Sequence, residues 1–204
     1  MLTSIVLAFG TLFPIVNPLS TTFVFNGLTQ KFSLKKKREI ALVAALTAAL
    51  VLLVFLAIGH ALLGFFGITI YAFRVAGGLY LGKIAFEMLS KGFYKAHESV
   101  EAPRKDVAII PLAIPLLAGP GAMAAVLVMS EEASAASYTA ISIAILMIAL
   151  LSYLLLRYAN GIGGLLGETG ARVIERVLGL LVLVIAAQFV FNGVTGWLFD
   201  VGFV

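Results

Sequence analysis

The chain has 204 residues, 62% of them apolar and only 12% charged, with a net charge of +4 and no cysteine; a soluble protein carries charge on about a quarter of its residues. A soluble globular domain is thereby excluded, as are disulfides, thiolate metal sites and cysteine nucleophiles. The basic residues sit in short loops between apolar runs, an arrangement that membrane topology explains without nucleic acid as a partner.

Six apolar runs, at 3–28, 40–63, 70–89, 107–129, 138–158 and 173–194, are each near the ~20 residues that a spanning helix needs. The ~10-residue alternating strands of a membrane barrel are missing. The first run lacks the basic start of a cleavable signal and is too long for one, so it is expected to remain in the mature protein. Near its middle it holds Pro14, Asn17 and Pro18, followed by Ser20, Thr21 and Thr22. Asn is a favoured helix N-cap and Pro a favoured first helical residue, so a helix is expected to restart at Pro18. The three hydroxyls either reach a ligand or bond back to carbonyls of their own helix.

Lys31, Lys35, Lys36, Lys37 and Arg38 precede the second run, which carries His60 near its far end. A lone histidine there is expected to be a hydrogen-bonded interior residue. The third run carries Arg74, then Lys83 and Glu87 at i,i+4 spacing. A charge at the bilayer centre costs on the order of 3 kcal/mol. Lys83 lies only about 12 Å of helical rise from Lys91 and can reach the interface. The pair is therefore read as interfacial, with ion coupling at Glu87 as the alternative. Lys91, Lys95, Arg104 and Lys105 follow.

In the fourth run Gly119-Pro120-Gly121 follows Pro111 and Pro115. Pro120 has no amide to donate and clashes with the carbonyl of Leu116, while each flanking glycine costs about 1 kcal/mol of helix stability. An unpaired backbone group costs several kcal/mol in hydrocarbon, so such a break is expected only where protein or a polar cavity covers it. The loop at 130–137 holds Glu131 and Glu132 and no basic residue; Arg157, Arg172 and Arg176 surround the connection between the last two runs. Gln188 and Asn192, four apart in the sixth run, share one face.

Three loops on one side of a six-span chain hold 12 of the 14 Lys and Arg residues, which places that side in the cytoplasm and both termini outside. Shifting the sequence by 102 residues sets Asn17-Pro18-Leu19-Ser20 on Gly119-Pro120-Gly121-Ala122, and Arg74-Val75-Ala76-Gly77 on Arg176-Val177-Leu178-Gly179. The fold class expected is an all-α membrane protein in one domain, 1–204. It comprises six helices as two inverted repeats of three, about 1–100 and 103–204, with the first and fourth broken at mid-membrane. The half-helices at 18–28 and 120–129 would turn their free amides toward one central site suited to a carboxylate. Freed carbonyls of Pro14 and Leu116 would accept an ammonium group. Together these describe a site for a zwitterion.

The Asn17-Pro18 element, the run from Pro111 through Gly119-Pro120-Gly121, and the pattern from Arg176 to Gln188, Asn192 and Gly193 resemble the MarC family of inner-membrane proteins. That family includes the small neutral amino acid transporters called SnatA. The resemblance covers essentially the whole chain. It implies transport of glycine, alanine and similar zwitterions across the lipid bilayer, coupled to a proton or cation gradient. Ser20 stands where the family's first motif is expected to have Gly, a departure that bears on substrate range. The substrate-binding candidates are Asn17, Pro18, Ser20, Thr21, Gly119, Pro120, Gly121 and Gln188, with Glu87 the candidate for ion coupling. No metal ligand set or cofactor motif is present. A channel or an exporter of another solute is the alternative. With no Asp in the spans, Glu87 read as their acid, and no Gly-x-Ser-x-Gly or His-rich set, an enzyme is a distant third.

Overall fold

A computed structural model of the chain describes residues 1–90, 107–131 and 134–203, with the backbone alone for 163–168. The loop bearing Lys91, Lys95, Arg104 and Lys105, and Glu132 beyond α6, lie outside the described residues. Among the described residues the secondary structure is helical without strands: α1 Leu2–Val16, α2 Pro18–Thr29, α3 Leu34–Phe65, α4 Ile70–Ser90, α5 Ala108–Leu117, α6 Pro120–Ser130, α7 Ala135–Arg157 and α8 Ala159–Asp200. Leu2–Thr29, Leu34–Phe65, Ala135–Arg157 and Thr169–Asp200 are long and apolar enough to cross a bilayer, and α5 with α6 forms a fifth candidate bent by 50°. The 21-residue α4 is a helix where one is expected. It carries Arg74, Lys83 and Glu87 and does not qualify as a span on composition.

Two helices outrun the apolar runs that announce them. α3 begins at Leu34, with Lys35 to Arg38 in its opening turns. Ser33 caps it, its Oγ accepting from Lys36 N at 3.3 Å, and Lys36 pairs with Glu39 at 2.8 Å. α8 begins at Ala159, so Arg172, which precedes the sixth apolar run, lies within the helix together with Arg176. Charged residues end an apolar run but not a helix, because Lys and Arg are good helix formers.

α5 is the irregular element. Its amides bond five residues back, Leu112 N to Val107 O at 3.4 Å and Ala118 N to Ala113 O at 2.8 Å. Ile110 (φ −122°, ψ 117°) and Ile114 (φ −128°, ψ 121°) are extended inside it. Each precedes a proline, whose ring pushes the preceding residue out of the helical region.

The most extensive contacts between elements fall into matched sets. α1 packs on α7 as α5 packs on α3; α2 packs on α7 as α6 packs on α3; α2 packs on α8 as α6 packs on α4. The most extensive contact joins α4 to α8, antiparallel: Tyr71 meets Gly193 and Gly196, Gly78 meets Ala186 and Val190, and Met88 meets Gly179. A Cβ at Gly78 would lie 2.8 Å from Ala186 O, and one at Gly193 2.9 Å from Tyr71 O. Small residues let the backbones approach this closely, the packing device of membrane helices.

Polar contacts tie the two ends of the bundle. At one, Asn26 Nδ2 donates to Ala159 O at 2.9 Å and Lys37 Nζ to Asn160 Oδ1 at 3.4 Å. At the other, Arg74 of α4 is ion-paired with Glu131 just past α6, and His60 Nε2 lies 3.0 Å from Ser130 Oγ. His60 is thus the hydrogen-bonded residue expected from the sequence.

Candidate functional site

Both helix breaks open onto one cavity of about 70 Å³, ample beside the roughly 10–15 Å³ that one water requires. The end of α1 contributes Ile15 and Val16 with Asn17 beyond it; α4 contributes Tyr80, Ile84 and Glu87; the α5–α6 corner contributes Pro115, Leu116, Gly119, Gly121 and Ala122.

The first break turns on Asn17, the one non-glycine residue with positive φ among those described (φ 48°, ψ 59°). Asn enters this left-handed region more readily than other side chains do. Its N–H closes α1 by donating to Phe13 O at 2.9 Å. Its Oδ1 then accepts from Ser20 N at 3.3 Å, and its carbonyl accepts from Thr21 N and Thr21 Oγ1, each at 3.2 Å. One residue therefore ends α1 and caps α2. Its Nδ2 points at Met88 Sδ, 3.8 Å away, a weak acceptor. Thr22 Oγ1 donates back to Pro18 O at 2.8 Å. The hydroxyls of Thr21 and Thr22 thus serve their own helix, the second of the two roles the sequence allowed. Pro18, Ser20 and Thr21 are buried in α2 but do not line the cavity.

The double role of Asn17 makes a graded prediction. Asn17→Gly keeps the left-handed turn and loses the cap, at a few tenths of a kcal/mol. Asn17→Ala loses both, for about 1–3 kcal/mol. Thermal unfolding of the purified variants in one detergent should rank wild type and Gly close together and Ala well below; equal Gly and Ala variants would refute the backbone argument.

The second break is built differently. Gly119 (φ −80°, ψ 168°) stands at the N-cap of α6 with no side chain to cap it, Pro120 follows, and the helical ladder begins with Met123 N donating to Gly119 O at 3.0 Å. The uncapped turn runs along the cavity through Gly121 and Ala122. Both glycines are needed for close packing: a Cβ at Gly119 would lie 2.5 Å from Pro115 O, and one at Gly121 2.5 Å from Leu81 Cδ2. Pro120 itself is exposed and outside the cavity lining.

Of the sequence candidates, Asn17, Gly119, Gly121 and Glu87 therefore meet at the cavity. Gln188 does not. It is exposed and donates to Asn192 Oδ1 at 2.7 Å, because i,i+4 spacing shows that two residues share a face but not which way that face turns. One acid escapes the sequence reading: Glu175, inside α8, is 7% exposed. Of the α4 wall only Glu87 was a candidate; Tyr80 and Ile84 were not, although the three follow i, i+4, i+7 spacing and so form one helix stripe.

The model of the MarC family, described as integral membrane proteins, matches residues 2–198. The chain is similar to a UPF0056 membrane protein of Aquifex aeolicus, 38% identical over 192 residues that cover 91% of this chain and 90% of the other. It is similar to UPF0056 membrane protein MJ1677 of Methanocaldococcus jannaschii, 35% identical over 197 residues (94% and 96%), and to YvbG of Bacillus subtilis, 32% identical over 203 residues (96% of each). No solved structure matches.

Proposed function

The chain belongs to the MarC family of integral membrane proteins, and from that premise we propose that it is a secondary transporter of small neutral amino acids, of the glycine and alanine class, working by alternating access. The observation that carries this reading is the chemistry gathered on one small cavity. The side-chain-uncapped start of the 11-residue α6 lies along it, and Glu87 is among the residues that line it. A helix N-terminus offers amide donors and about half a positive charge to an anion. An anion acceptor and a carboxylate on one cavity suit a zwitterion. Ile15, Val16 and Ile84 add apolar wall for a short aliphatic side chain. The volume is far below the roughly 300–1,000 Å³ of sites for drug-sized ligands, which favours the smallest amino acids.

We read the architecture as six membrane helices in two inverted repeats, α1 to α4 and α5 to α8, within one domain. The 102-residue offset supports this, as do the matched contacts, in which the most extensive pairings of one half recur in the other. Arg74 is then accommodated by its ion pair at the end of the bundle and Glu87 by the cavity, with the exposed Lys83 beside Glu87 able to reach toward the interface, which lets that helix cross. The end carrying Lys37 and Asn160 is assigned to the cytoplasm, the end carrying Arg74 and Glu131 and both termini to the outside of a cell inner membrane. The protein is read as a carrier without enzymatic activity, coupled to a proton or cation gradient.

Uptake of labelled glycine and alanine into proteoliposomes tests this. The expected result is saturable uptake that responds to an imposed pH or sodium gradient and is accelerated by unlabelled alanine on the opposite side. Flux that rises linearly with concentration would indicate a channel. Absence of alanine flux in either direction would overturn the assignment in favour of another solute.

A further inference from the structure

We propose that the Glu87 carboxylate is the group that receives the substrate's ammonium, fixing the amino acid in one orientation with its carboxylate at the start of α6. The inference rests on the reading of the cavity as a zwitterion site and names the residue that makes it one.

Two of the other acceptors at the cavity are already committed or poorly placed, and those of the lining residues Leu116 (its carbonyl) and Tyr80 (its hydroxyl) carry no charge. Asn17 Oδ1, the side-chain acceptor across from α4, holds Ser20 N at 3.3 Å. Pro115 O lies against Gly119, so close that a Cβ there would be 2.5 Å away. Pro14, whose carbonyl was expected to take the cation, is buried in α1 and does not line the cavity. Among the described residues Glu87 is the one ionisable carboxylate in the lining. Its ion-pair partner among the described residues, Lys83 Nζ, stands 4.0 Å away, with the Lys83 side chain 71% exposed and that of Glu87 35% exposed. That separation is beyond hydrogen-bond reach, so Lys83 offsets the charge of Glu87 without occupying its acceptor sites. An arriving ammonium can supply the hydrogen bonds that Lys83 does not.

Position supports the same assignment. Tyr80, Ile84 and Glu87 run about 10 Å along one stripe of α4, with Glu87 toward the Ser90 end. A small amino acid laid along this stripe has its charged ends on different helices and its side chain against Ile84.

The test compares alanine with propionate, which has the same carbon skeleton and lacks the ammonium. In wild-type protein, ligand-induced thermal stabilisation or calorimetry should show alanine binding roughly 10- to 100-fold more tightly, the range expected for a hydrogen bond to a charged group. In Glu87→Gln this preference should collapse to within a few fold, through loss of alanine affinity and not of propionate affinity. Glu87→Asp should retain part of it. A purely structural role for Glu87 would weaken both ligands together and leave their ratio unchanged. Wild-type protein that binds alanine no better than propionate overturns the assignment without any variant, as does a preference that survives in Glu87→Gln. Failure of wild-type protein to bind glycine or alanine at all would instead overturn the transporter reading, and this inference with it.

Discussion

Gly119→Ala is expected to destabilise the protein by about 1–3 kcal/mol, the usual range for overpacking a tight site. That corresponds to a fall in Tm of several degrees for a chain of this size, at roughly 2–4 °C per kcal/mol. The methyl group would arrive 2.5 Å from Pro115 O, a backbone atom fixed by the turn that ends α5. Gly121→Ala creates an equally short approach, but to Leu81 Cδ2, the far end of a side chain. A leucine can change rotamer, so the second substitution should cost less even though Leu81 is fully buried. Neither glycine has positive φ, so the costs are steric. Thermal midpoints in a common detergent check the ranking, and a Gly119→Ala protein as stable as Gly121→Ala would contradict it. The comparison also disqualifies bulky replacements at Gly121 as probes of ligand binding, since they displace Leu81 before any ligand is present.

The second large effect concerns Arg74 and Glu131. Their side chains are 17% and 20% exposed, and Arg74 Nε is buried without a partner among the described residues. Glu131→Gln leaves a largely buried guanidinium without its counter-ion. A fully buried pair broken in this way costs 3–5 kcal/mol; with the remaining exposure, about 1–3 kcal/mol is expected. Replacing both residues by Met should cost less than Glu131→Gln alone. The pair joins the start of α4 to the end of α6, closing the bundle at the end away from Glu87. A carrier must open that end. Each 1.4 kcal/mol taken from the closed form raises the open population tenfold. Because the chain contains no cysteine, a single cysteine at Ile84 on the cavity wall reports directly. An impermeant thiol reagent applied from the Arg74 side should label it faster in the Glu131→Gln background. Unchanged labelling would show that the pair holds the fold and not a gate.

Both breaks could be read from the sequence because they are local. A proline lacks its amide wherever it stands; Asn17 supplies the cap before Pro18, while Gly119 before Pro120 allows the turn without capping it. The extended residues before Pro111 and Pro115 follow from the same chemistry, although the five-residue bonding between them does not. What escaped depends on tertiary direction. Gln188 and Asn192 share a face that turns outward, whereas Tyr80, Ile84 and Glu87, themselves only partly covered, share one that lines the cavity, and apolar surroundings at both faces hide the difference. The lengths of α3 and α8 escaped because hydropathy detects where lipid is tolerated, not where a helix ends.

Asn17 and Gly119 occupy corresponding places, and the chain has resolved them in opposite ways. Asn17 spends its own side chain on the first turn of α2, whereas Gly119 has nothing to spend on α6. The likeness of the two halves in the proposed inverted repeat therefore does not extend to the chemistry of the two breaks: one comes with its cap already supplied and the other without. A cargo with unlike ends entering such a site meets a polarised seat, and it keeps the same heading relative to the protein whichever side of the membrane it came from.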